Sequence, residues 1–179
     1  MKWINAFCLA AGPAFAETCP AAPDHSVEQG NIYDQLRSLP SPLGARELGD
    51  SLWRLWTDAP DSKAQALLDE GMGQLAGFDL LGARDTLDQL VEYCPEYAEG
   101  YNQRAFANFL NANYDGALVD LDTALALNPG HTGAITGKAL SLLRLGRDNE
   151  AQELLRAAVA LNPWLAERSL ITEPAGEDI

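Results

Sequence analysis

One spacing governs what this chain can fold into. Ala83, Ala117 and Ala151 stand 34 residues apart, as do Leu87, Leu121 and Leu155, and Pro95, Pro129 and Pro163. Leu90, Ala124 and Ala158 keep the same phase, and so do Gly71, Ala105 and Ala139. Five columns with one period define three consecutive units, residues 64–97, 98–131 and 132–165. A unit of this size cannot bury its apolar face alone and must stack on its neighbours.

Within each unit the columns read as two helices. The first, helix A, carries an apolar residue at unit position 4 (Leu67, Tyr101, Ile135) and a small one at position 8, where two helices approach closely. A turn falls near position 15, in Ala76–Asp79, Asn111–Tyr114 and Leu145–Asp148, where Gly and Asn stop helices. Helix B then runs Ala, Leu four residues on, Leu or Ala seven on, with Val91, Leu125 and Val159 beside them. That is the stripe of an amphipathic helix. Proline at position 32 ends helix B, because it lacks an N–H and turns the preceding residue away from the α region.

These residues resemble the tetratricopeptide repeat, with its two antiparallel helices, small residues at positions 8 and 20 and proline at 32. The resemblance covers residues 64–165 and implies an all-α, right-handed α-solenoid whose A helices line a concave groove. Position 7, usually apolar in the family, is Glu70, Arg104 and Lys138 here, so helix A is more polar than the family pattern. A further resemblance links Leu52–Trp56, Pro95–Ala105 and the terminal Gly176–Ile179 to exported bacterial repeat proteins of unassigned function.

The flanks complete the expected organisation. Lys2, the apolar stretch Trp3–Gly12 and Ala14-Phe15-Ala16 have the layout of a secretory signal peptide over residues 1–16. That stretch is too short to span a membrane, which takes about 20 apolar residues. The expected location is therefore outside the inner membrane, in the periplasm, with no membrane insertion after cleavage. Residues 17–30 are Pro-rich and polar and read as a flexible segment. Residues 31–63 read as two capping helices, a degenerate repeat over the first unit: Ile32, Leu36 and Leu39 mark one, and Leu48, Leu52, Leu55 and Trp56 the other. Residues 166–179 read as a short helical cap and a tail. An exported chain left with two cysteines, Cys19 and Cys94, can form one disulfide.

Catalytic signatures are missing. His25 and His131 sit in no metal-binding pattern, and His131, after Pro129-Gly130, reads as a surface turn residue. Asp120 and Asp122 read as a solvated helix face. No phosphate loop, dinucleotide fingerprint or nucleophile elbow is present. The expectation is a protein that is not an enzyme and needs no cofactor. A net charge of −14 argues against nucleic acid as a partner.

What remains is surface. The family places positions 2, 5, 9, 12 and 13 of helix A on the groove. Here that yields a candidate binding ladder of Met72, Leu75, Asn102, Phe106, Phe109, Leu110, Leu140 and Arg144. Family clamps for a chaperone carboxylate need Lys and Asn at positions 5 and 9. Those positions hold Leu68, Asn102, Thr136 and Met72, Phe106, Leu140, so that clamp is absent. Two readings of the ladder stay open: a groove for a peptide or helix of a protein partner, or a surface filled by the chain's own terminal segments. Charge is also graded: the first unit has seven acids against Arg84, net −6, the second is −3 and the third +1. The favoured function is a non-catalytic protein-binding adaptor. The alternative is a structural subunit of an envelope assembly, self-associating through the array ends.

Overall fold

A computed structural model describes residues 18–172. The proposed signal peptide and residues 173–179 lie outside the described residues. Eight α-helices are present among them: α1 (Ser26–Ser38), α2 (Ala45–Trp56), α3 (Ser62–Ala76), α4 (Leu80–Tyr93), α5 (Ala98–Leu110), α6 (Tyr114–Leu127), α7 (Thr132–Arg144) and α8 (Asp148–Leu161). A 3-10 helix, Ala166–Leu170, follows. Helices α3 to α8 form three stacked pairs, each pair one repeat, making an all-α solenoid.

The repeat columns are its core. Ala83, Ala117 and Ala151 are fully buried, as are Leu87 and Leu155, and Leu121 nearly so. At position 8 of the first repeat the fit leaves no room for a side chain: a Cβ on Gly71 would meet Leu87 at 2.8 Å. The A-to-B turns share one construction. Phe78, Ala112 and Gly146, each at position 15, adopt positive φ. The following N–H (Asp79, Asn113, Arg147) reaches back to the carbonyl of Gln74, Asn108 and Leu142, each at 2.9 Å. This is the left-handed closure that satisfies the last carbonyls of a helix. Asp79 and Asn113 then cap the next helix through the N–H of Gly82 and Gly116. Glycine is needed there, because a Cβ would sit 2.3 Å from the capping side chain.

The N-terminal pair departs from the expectation of a cap stacked over the first repeat. Helix α1 begins at Ser26, inside the segment read as flexible. Its first turn carries no apolar stripe, and its anchor is tertiary: Gln29 exchanges amide hydrogen bonds with Asn128 at 3.0 and 3.1 Å. Instead of covering the first repeat, α1 and α2 run along one edge of the array as a strap across the turns that join the repeats. The Tyr97 hydroxyl donates to the Trp56 carbonyl at the first junction. The Tyr33 hydroxyl donates to the Gly130 carbonyl at the second. The Trp164 indole donates to the Leu36 carbonyl at the third. Ile32, Tyr33, Leu36 and Leu52 form a small separate core that takes in Leu161 and Trp164. The strap lacks the repeat columns because its apolar stripe serves this core and not a neighbouring repeat.

Candidate functional site

Two places along the strap carry the chemistry. The first is the junction beneath Trp56. His131 and Glu99 are each 1% exposed and face one another, Nε2 to Oε2, at 2.7 Å. The His131 Nδ1 accepts the Ala134 N–H at 3.1 Å and caps α7. The ring proton therefore sits on Nε2 and is donated to Glu99. Gln103 and Asn102 donate to the same carboxylate, and Trp56 stacks on the imidazole at 4.0 Å between centroids. His131 is thus a buried locking residue, not the surface turn residue its Pro-Gly context suggested. The signal that could have found it is position: Tyr97 and His131 both stand at unit position 34, the residue that receives the end of α2. Burial raises the Tyr97 and Tyr33 hydroxyl pKa values above the ordinary tyrosine range.

Asp120 likewise is not solvated. It is 3% exposed and accepts from Arg104 Nε at 3.0 Å and from Asn108. Burial works against the Arg104 charge, but hydrogen bonds and charge from Asp120 and Asp88 outweigh it and raise its pKa above the ordinary value. Asp122 does remain exposed, paired with Lys138. The polar residues at position 7 are therefore pairing groups.

The second place is on the inner face of the A helices. A cavity of about 230 Å³ is walled by Phe106 and Phe109 of α5, Leu140 of α7 and Trp53 of α2. Ala105, Leu121, Gly133 and Gly137 also line it, and its polar lining is Asn102, Gln103 and Ser141. Phe106 is 48% exposed and Trp53 44%. The structure so brings together Asn102, Phe106, Phe109 and Leu140 from the expected ladder. It does not bring in the others. Leu75 is buried in the first repeat's core, with Met72 and Leu110 against it, because α3 and α5 touch and consume those side chains. Arg144 lies exposed at the end of α7, away from the cavity. Trp53 was not foreseen. It lies off the apolar stripe of α2, and a large aromatic displaced from its helix's core face was the available signal.

The described cysteines, Cys19 and Cys94, are joined, with Cα atoms 5.2 Å apart. The bond ties the segment ahead of α1 to the end of α4. Among the described residues no group of His, Cys, Asp and Glu is arranged to hold a metal, and no helix is long and apolar enough to cross a membrane.

Comparison with known proteins agrees with this architecture. A family model for the tetratricopeptide repeat matches residues 109–163. A TPR repeat-containing protein of Rhizobium etli is 27% identical over 72% of this chain and 62% of its own length. Tetratricopeptide repeat protein 36 of Xenopus tropicalis is 30% identical over 82% of this chain and 71% of that protein. The chain spans only about half to three fifths of the length of several curated relatives it matches. Among solved structures, the first TPR of Spaghetti (RPAP3), bound to the HSP90 peptide SRMEEVD, has a TM-score of 0.59 at 23% identity. That superposition covers 62% of this chain and 88% of the other. The chain belongs to the tetratricopeptide repeat family, a family of protein–protein interaction modules.

Proposed function

We propose that the protein is an exported, non-catalytic adaptor whose inner face takes a peptide or helix of a protein partner. The observation that carries this reading is the apolar cavity between Trp53, Phe106, Phe109 and Leu140, left open with Phe106 half exposed. Large apolar side chains held in such a position anchor interfaces. Two solved neighbours hold HSP90 and HSP70 peptides. Here the corresponding surface has no lysine at positions 5 and 9, so the partner is recognised by a bulky apolar side chain and not by a terminal carboxylate. Export to the periplasm rests on the layout of residues 1–16, and a disulfide suits an oxidising compartment.

A photo-crosslinking amino acid placed at position 140, in the cell that makes the protein, tests this directly. The expected product is a covalent adduct with a segment of another protein, and that segment carries an aromatic or large aliphatic residue at the crosslink. Adducts confined to the chain's own residues would contradict the reading.

A further inference from the structure

Ion pairs link successive repeats at one register. Arg104 Nη1 lies 2.8 Å from Asp88 Oδ1, and Lys138 Nζ lies 2.5 Å from Asp122 Oδ1. Asp88 and Asp122 both stand at position 25 of helix B, and Arg104 and Lys138 at position 7 of the next helix A. The rung is therefore acid on B and base on the following A, twice. At the two ends of the array the signs are reversed. Position 7 of the first unit is Glu70, and position 25 of the last is Arg156.

The face around Glu70 is the one that helix B of a preceding repeat would cover. Its interior equivalent at Gly100 lies against Leu90 and Val91 of α4. On α3 the matching residues Ala66 and Leu67 are exposed and half-buried, and the strap does not reach them. They border a shallow depression with Gln89, Glu92 and Tyr93. Glu70 itself is exposed and has no ion-pair or hydrogen-bond partner among the described residues. Nearby, the Gln74 Oε1 is buried without a hydrogen bond.

At the other end, residues 166–172 occupy the place of a further helix A. Thr172, 34 residues after Lys138, offers its carbonyl to Arg156 Nη2 at 2.9 Å. Gln152 bonds the Leu170 carbonyl and the Thr172 N–H, each at 2.9 Å. The cover is thin: no residue of the 3-10 helix is buried.

We infer that the two ends recognise each other, so that α3 of one copy displaces residues 166–172 from α8 of a second copy and Glu70 takes Arg156. The reversed rung gives this association its direction. Like ends meeting would place Glu70 against Glu70 or Arg156 against Arg156, and both repel. Net charges of −6 on the first unit and +1 on the last favour the same polarity. The contact is heterologous, so each copy keeps one free end to which a further copy can add. It leaves the inner-face cavity of every copy open, and is independent of what that cavity binds.

Sedimentation velocity of the oxidised full chain, over a concentration series at low and high salt, tests the inference. Association is expected to rise with concentration and weaken with salt. Glu70→Arg and Arg156→Glu should each weaken it by about five- to tenfold, and the two together should restore most of it. Both positions are exposed, and unchanged helicity and melting of each variant would exclude misfolding as the cause. A chain that stays monomeric at every concentration overturns the proposal. So does association untouched by either reversal, or a double variant that fails to recover. Phe106→Ala should leave the stacking unchanged.

Discussion

Replacing His131 with alanine is expected to destabilise the fold by about 3–5 kcal/mol, one of the largest effects available from a single polar residue here. Three losses combine. The buried Glu99 carboxylate loses one of its three side-chain donors while staying out of water. Helix α7 loses its N-cap, worth about 1 kcal/mol. A void opens beneath Trp56, whose ring rests on the imidazole. The melting temperature should fall by roughly 10 °C for a chain of this size. Glu99→Gln should cost less, since a neutral amide can still accept from His131 and needs no charge stabilised. A His131→Ala variant melting with the parent would mean that the strap is not locked at this junction.

Loss of the Cys19–Cys94 bond is expected to cost about 2–4 kcal/mol, because it closes a long loop, with 75 residues of sequence separation. The segment ahead of α1 should loosen first, since it is otherwise held by short polar contacts such as Asp24 to the Ser26 N–H and His25 to Asp58. Melting of the exported protein with and without reductant measures the effect, and alkylation before reduction checks the bond. Two alkylatable thiols in the unreduced protein would exclude it.

How much of this was legible in the sequence depends on whether a residue's neighbours lie at the repeat spacing. The core was legible because Ala83, Leu87, Leu90 and their partners recur at fixed intervals and meet residues that recur with them. The position-25 acids and position-7 bases were legible in principle by the same logic, since Asp88 and Asp122 share a spacing with Arg104 and Lys138. The strap was not. Its contacts join residues about a hundred apart, such as Gln29 to Asn128 and Tyr33 to Gly130, and they are polar or aromatic pairs that leave no periodic trace. His131 was misread because the residue that buries it, Trp56, lies on a helix outside the repeats, and the one periodic trace, Tyr97 at the same unit position, does not reveal that partner. For the inner face, family positions pointed to residues of α5 and α7 that line the cavity, but they could not say that Trp53 would form a wall or that Leu75 would sink into the core.

On the proposed reading, Phe106 is an open anchor on the inner face and not a core residue. The most direct measurement pairs thermal melting of Phe106→Ala with its affinity for the partner segment captured by crosslinking. With the ring half exposed, the stability loss should stay below about 1.5 kcal/mol, well short of the 3–5 kcal/mol typical of a buried phenylalanine. Affinity should fall about tenfold or more, as for a residue near the centre of an interface. A loss of about 3–5 kcal/mol in stability with affinity unchanged would contradict the account and place Phe106 in the core.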